Sequence, residues 1–176
     1  NAHRTSAKTP RPCENRHHNA LRIGEPKQCK GLTSEIFGVN LVSLGDICSY
    51  RNESISAKDI DSSSYVSTDS MLTDKRGIGA ATSTPSSGKV KRFYKGDTLV
   101  SNIRPYFKKI WHAAFDGTCS GDVLVFSPTN CNSEFLYWVL SEDRFFDYAS
   151  ATSKGTKMPR GDKTAIMNYQ VLDFDT

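Results

Sequence analysis

The chain has 176 residues, enough for one domain with a real core and an additional tail. No apolar run approaches the length of a transmembrane helix, and no apolar leader opens the sequence, so neither a helical span nor a signal peptide is expected. The net charge of +4 belongs to the tail: residues 1–36 hold seven Lys or Arg against three Glu, whereas residues 37–176 hold sixteen of each sign.

Residues 1–36 are polar, basic and interrupted by proline, without helical or strand periodicity, and read as a disordered leader. The sequence starts at Asn1 and has its first Met at position 71, the pattern of a fragment, a processed product or a mis-started reading frame. Order is expected from about Val39. VNLVSLGDIC offers a short apolar strand, then a helical turn near Gly45-Asp46. The polar, Ser-rich stretch 51–64 reads as a loop, and Tyr65–Thr68 as a brief strand. Thr73–Lys89, with Gly77, Gly79, Gly88 and ATSTPSS, predicts a long flexible loop, a feature that tends to be functional inside a compact domain.

Three strands are predicted next, over 97–103, about 110–115 and 121–127. In the first, Leu99 and Ile103 fall on one face and Thr98, Val100 and Asn102 on the other, and Pro105 should stop it. The third is an unbroken apolar run and should be central in its sheet. Ser133 can cap a helix through EFLYWVLS, with Leu136, Val139 and Leu140 toward the core. Ser141-Glu142-Asp143 reads as a fresh acidic start to a second helix carrying Phe145, Phe146 and Tyr148. The loop SKGTKMPRGD precedes a short helix near 162–168 and a terminal strand around 170–172. Trp111, Trp138, Phe135, Phe145 and Phe146 are assigned to the core. The sum is an α+β domain over 37–176, strand-rich in the middle with helices toward the C-terminus.

Chemistry is sparse. Cys13, Cys29, Cys48, Cys119 and Cys131 are irregularly spaced without a CxxC pair, so reduced thiols of a cytoplasmic protein are the expectation. A tail zinc site from Cys13, His17, His18 and Cys29 lacks the second ligand pair of a finger. GTKMPRGDKT is not a P-loop: five residues separate Gly155 from Gly161, and Asp162 would repel a phosphate. Arg160-Gly161-Asp162 spells an integrin-binding tripeptide by coincidence. SNIRPYF departs from the Asn-Pro-Pro-Tyr motif of adenine methyltransferases at Arg104, and no Gly-rich turn offers a nucleoside site. Asp97 and Asp122 follow glycines and read as turn residues rather than metal ligands, and His112 as a structural histidine. No catalytic arrangement emerges.

Basic residues are concentrated locally. Lys89, Lys91, Arg92, Lys95, Arg104, Lys108 and Lys109 stand against Asp97 alone, and Lys154, Lys157, Arg160 and Lys163 against Asp162. Two such segments on a neutral domain suit a surface that meets a polyanion; a solvated charged face or an edge strand blunted by lysine is the plain alternative.

The ordered succession VNLVSLGDIC, GDTLVSNIRPYFKKI, GTCSGDVLVFSP and EFLYWVLSEDRFFDYASATSKGTKMPRGD, from about Val39 to Leu172, resembles a target recognition domain of type I restriction–modification specificity subunits. The resemblance implies a non-catalytic, DNA-binding subunit that reads one half of a split target on double-stranded DNA. It implies a modification subunit that methylates adenine with S-adenosylmethionine, and a restriction (motor) subunit using ATP and Mg; this chain would bind none of these cofactors. Where the family continues the GTKMPR loop with Ala-Asp-Trp, this chain has Gly161-Asp162-Lys163. Spacer helices and a second recognition domain are not in the sequence, so a truncated or half-sized subunit is expected, pairing with a second specificity half. A module that docks the modification subunit without gripping DNA, and a non-functional gene fragment, are the other readings.

Within the resemblance, Lys89, Lys91, Arg92, Lys108 and Lys109 are candidates for phosphate contacts, and Lys75 and Arg76 for base edges. Arg104 and Tyr106 suit either role. Lys154, Lys157 and Arg160 are candidates too, although a loop shared by proteins that read different targets better suits a structural or docking task.

Overall fold

The computed structural model describes residues 40–172, all within the larger of the chain's two units, Ser34–Thr176. The tail read as disordered, and the zinc site weighed within it, lie outside the described residues.

The expected entry is present. β1 (Leu41–Ser43) passes directly into α1 (Leu44–Ile47), where the Asp46 carboxylate accepts from the Ser43 N–H at 2.8 Å and ties the first turn. β2 (Cys48–Tyr50), β3 (Ser54–Ser56) and β4 (Tyr65–Val66) follow, with single 3₁₀ turns at Ala57–Asp59 and Ser62–Ser64. The predicted 51–64 loop therefore contains a strand and two turns. Next come β5 (Lys89–Phe93), β6 (Thr98–Ser101), β7 (Ile110–His112), β8 (Gly117–Cys119) and β9 (Val123–Pro128). The chain finishes with α2 (Ser133–Ser141), α3 (Asp143–Ala151), α4 (Lys163–Met167) and β10 (Gln170–Leu172). The cap of α2 is Asn132, whose side chain accepts from Glu134 N–H at 2.7 Å, one residue before the expected Ser133.

One four-stranded sheet has the order β2-β9-β6-β7, antiparallel throughout. A second has the order β3-β5-β8-β4, with β4 parallel to β8. β1 and β10 pair as an antiparallel ribbon. Side-chain alternation along β6 and β9 builds the layers. Val100, Leu124 and Phe126 pack with Leu136, Leu140, Phe145, Phe146 and Ile166 of the helices. Leu99, Val123 and Val125 pack from the opposite face against Phe93, Val66 and Cys119 of the second sheet. The first sheet is thus the middle of three layers, which is why VLVF reads as a continuous apolar run.

Three expectations change here. The 97–103 strand ends at Ser101, and it is an interior strand rather than an edge, buried at all four positions between β9 and β7. The loop after Met71 is not free along its length: Met71 and Ile78 bridge, Leu72 N–H reaches Gly77 O at 2.8 Å, and Gly79 N–H reaches Ser70 O at 2.7 Å. Trp138 is 68% exposed on α2, because it lies off the face set by Leu136 and Leu140. Phe145 and Phe146 are in the core as expected, whereas Phe135 and Trp111 are partly buried against it.

Candidate nucleic-acid interface

The two basic segments, distant in sequence, meet beyond the end of β6. Ile103 bridges Arg160, Arg104 N–H donates to Pro159 O at 2.8 Å, and Gly161 N–H donates to Asn102 O at 3.2 Å. Asn102 N–H in turn donates to Asp122 O at 2.8 Å, bringing in the turn between β8 and β9. Lys154 and Arg160 close their own loop with paired backbone bonds of 2.8 and 2.9 Å. The Arg160 guanidinium then forks onto the Asp122 carboxylate at 3.0 and 3.2 Å. The GTKMPR loop thereby staples the β6 exit to the β8–β9 turn.

Beyond the junction the chain makes one 3₁₀ turn, Pro105–Phe107, flanked by Arg104 and Lys108 at φ 50° each. Facing it is the loop with Asp74 at φ 56° and Lys75 at φ 61°. These four are all the non-glycine residues with left-handed backbone among those described. The two loops are joined by Asp74 N–H to Phe107 O at 3.0 Å and Lys75 N–H to Lys108 O at 2.8 Å. Side chains complete the joint: Lys75 Nζ lies 2.6 Å and Lys108 Nζ 3.1 Å from Asp143 Oδ1, at the first turn of α3. The hydrogen bond from Lys75, then that from Lys108, holds the Asp143 carboxyl below its ordinary range, so it is ionised at neutral pH.

The other candidate cations separate into held and free. Lys91 Nζ donates to Gly121 O at 2.8 Å and Val123 O at 2.5 Å, and burial lowers its pKa. Lys109 Nζ donates to Thr68 O at 2.7 Å. Lys154 pairs with Asp162. Arg92 lies 3.6 Å from Glu53, in a hollow that Asp59, Asp61 and Asp116 also line, a poor place for a phosphate. Arg76 is exposed and, among the described residues, bonds only its own turn, through Thr73 O at 3.1 Å and Thr73 Oγ1 at 3.2 Å. Lys89 and Lys157 are exposed without a side-chain partner among the described residues. The Arg104 guanidinium sits 6.0 Å from the Phe107 ring, and Tyr106, 51% exposed, packs edge-on to Phe107 at 4.8 Å. Sequence reasoning found these cations but missed the acids that hold them. In the sequence Asp122 reads as a turn residue and Asp143 as a helix-start acid, and neither pairing has a local signal.

No group of three or more His, Cys, Asp or Glu among the described residues is arranged to hold a metal, and no described helix is long and apolar enough to cross a membrane.

No protein-family profile matches the chain. A stretch of 69 residues is 38% identical to the type I restriction enzyme EcoDI specificity subunit of Escherichia coli. Over that stretch the chain is a homologue of a type I specificity subunit. The stretch is 39% of this chain and 15% of the Escherichia coli protein. The HsdS subunit from Thermoanaerobacter tengcongensis superposes with a TM-score of 0.56 at 19% identity, over 80% of this chain and 40% of that one. A chain from a type I R-M system, solved for its assembly and conformational transition, gives 0.56 and 19% over 76% of this chain and 37% of that one. At such identities the likeness is one of fold, and it is the α+β, strand-rich fold expected of a specificity-subunit recognition domain. The chain spans about two-fifths of the solved chains it matches.

Proposed function

We propose that this chain is a DNA-recognition domain of a type I restriction–modification specificity component, reading one half of a bipartite target on double-stranded DNA. The observation that carries this reading is the 38% identity to a specificity subunit over 69 residues. The loop junction supports it: Lys75, Arg76, Arg104, Tyr106 and Lys108 are gathered by the β6 exit and the loop joined to it, cations beside an exposed aromatic ring. Such a group suits phosphate contacts that set register and an arginine or stacked ring that reads or grips bases. The chain itself performs no chemistry. An associated modification subunit methylates adenine with S-adenosylmethionine, and a restriction subunit with ATP and Mg drives cleavage.

Reading a whole split target requires a second specificity half. Docking on the modification subunit is favoured by exposed Trp138, which borders a groove formed with Val139, Tyr169, Val171 and Leu172. The test is to map methylated adenines in cells with and without the chain, in the presence of the modification subunit. A methylated motif that depends on the chain is the expected result; an unchanged methylation map overturns the reading.

A further inference from the structure

The geometry points to a phosphate site between Lys75 and Lys108 that Asp143 occupies in the free protein, and from which a DNA phosphate displaces it. The inference rests on the DNA-recognition reading and adds to it a contact that opposes binding.

Both ammonium groups converge on one oxygen, Asp143 Oδ1, at 2.6 and 3.1 Å. A phosphodiester oxygen meets two lysines in the same way: a single acceptor serves two point charges. The lysines do not depend on the carboxylate to stay together. Their backbones are fixed by Lys75 N–H to Lys108 O at 2.8 Å and Asp74 N–H to Phe107 O at 3.0 Å. Both lysines also carry left-handed backbone, at φ 61° and 50°. Such strain persists only where the surroundings over-determine it, and it gathers at ligand clamps. The pair is therefore preorganised, and an anion that replaces Asp143 need not pull the loops together.

Replacement is easy from the carboxylate side. Asp143 is 62% exposed, and exposed ion pairs are weak and screened by salt. A duplex presents a row of phosphates with condensed counterions, which gives it the advantage over one solvated carboxylate. Asp143 thus weakens binding to any single anion while leaving the lysines ready for a polyanion.

The test is DNA affinity of the full chain against salt for Asp143→Asn, with Asp147→Asn on the same helix as a control that adds the same charge. Asp143→Asn is expected to bind about two- to fivefold tighter than Asp147→Asn, the worth of an exposed pair. The excess should vanish when Lys75→Gln and Lys108→Gln are also present. Equal effects of the two substitutions, or an excess that survives removal of both lysines, overturn the inference. Heparin retention is measured on the same variants. If no variant binds DNA, the recognition reading fails, and the phosphate site stands or falls separately on whether the Asp143-specific excess appears on heparin. Asp143→Ser serves if the asparagine variant does not fold.

Discussion

Asp97 is a buried carboxylate held by three hydrogen bonds. Only 3% of its side chain is exposed, and it accepts from Arg51 Nε at 2.7 Å, Arg51 Nη2 at 3.0 Å and Tyr94 N–H at 2.8 Å. Arg51 also reaches Ser127 Oγ at 2.7 Å and lies 4.7 Å from the Tyr94 ring, so one ion pair fastens the link between β2 and β3 to the turn before β6. Removing one partner of a buried pair strands the other charge. Asp97→Ala is expected to cost about 3 kcal/mol in urea unfolding, the low end for such a pair, because Arg51 keeps 26% of its side chain in water. A loss below about 1 kcal/mol would show that water solvates Arg51 adequately without its partner. Sequence placed Asp97 at a strand start after Gly96, which is correct, yet gave no sign of Arg51, 46 positions away. The same limit hid Asp122 and Asp143: cations are legible one by one, whereas their counter-ions depend on a fold that no local pattern encodes.

At the scale of elements, legibility followed burial on two faces. β9 and the helices are legible because their apolar residues are contiguous or recur at helical spacing. β5 and β8 are hidden for different reasons. KVKRF hides its strand behind three cations, although Val90 packs to one side with Ala57 and Tyr65, and Phe93 to the other with Leu99. GTC is only three residues long and starts on a glycine, which reads as a turn. That glycine is required by space: a Cβ on Gly117 would lie 2.3 Å from Ser64 O and 2.6 Å from Phe93 Cζ. Backbone cannot give way as a side chain can, so Gly117→Ala must push the Ser64 turn outward and disturb the β4–β8 pairing. An overpacking cost of about 1–3 kcal/mol is expected as a lower urea midpoint with unchanged slope. An unaltered midpoint would mean that β4 can shift without loss.

For the whole molecule, the proposed function poses the question of how a neutral domain would grip a polyanion. Residues 37–176 carry no net charge, so attraction depends on which cations are free rather than on how many there are. Lys91 and Lys109 spend their ammonium groups on the carbonyls of Gly121, Val123 and Thr68, joining β5 to the β8–β9 turn and the 3₁₀-turn exit to the loop after β4. Lys89 and Lys157 stand exposed and unpaired among the described residues, and Arg76 bonds only its own turn. The two classes should respond differently. Lys91→Gln and Lys109→Gln are expected to lower stability by about 1–3 kcal/mol each, as the charged hydrogen bonds to backbone carbonyls disappear. Lys89→Gln and Lys157→Gln should leave stability unchanged and weaken binding alike for all sequences. Each phosphate that such a substitution leaves unneutralised should make the slope of log affinity against log salt shallower by about 0.9. Arg76→Gln should instead relax the methylated motif at one position, at about 1–3 kcal/mol of discrimination. Urea unfolding and fluorescence anisotropy across a salt series separate these outcomes. If Lys91→Gln flattened the salt slope while Lys89→Gln did not, the DNA-facing cations would be the ones held by carbonyls, and the division between free and held would not govern binding.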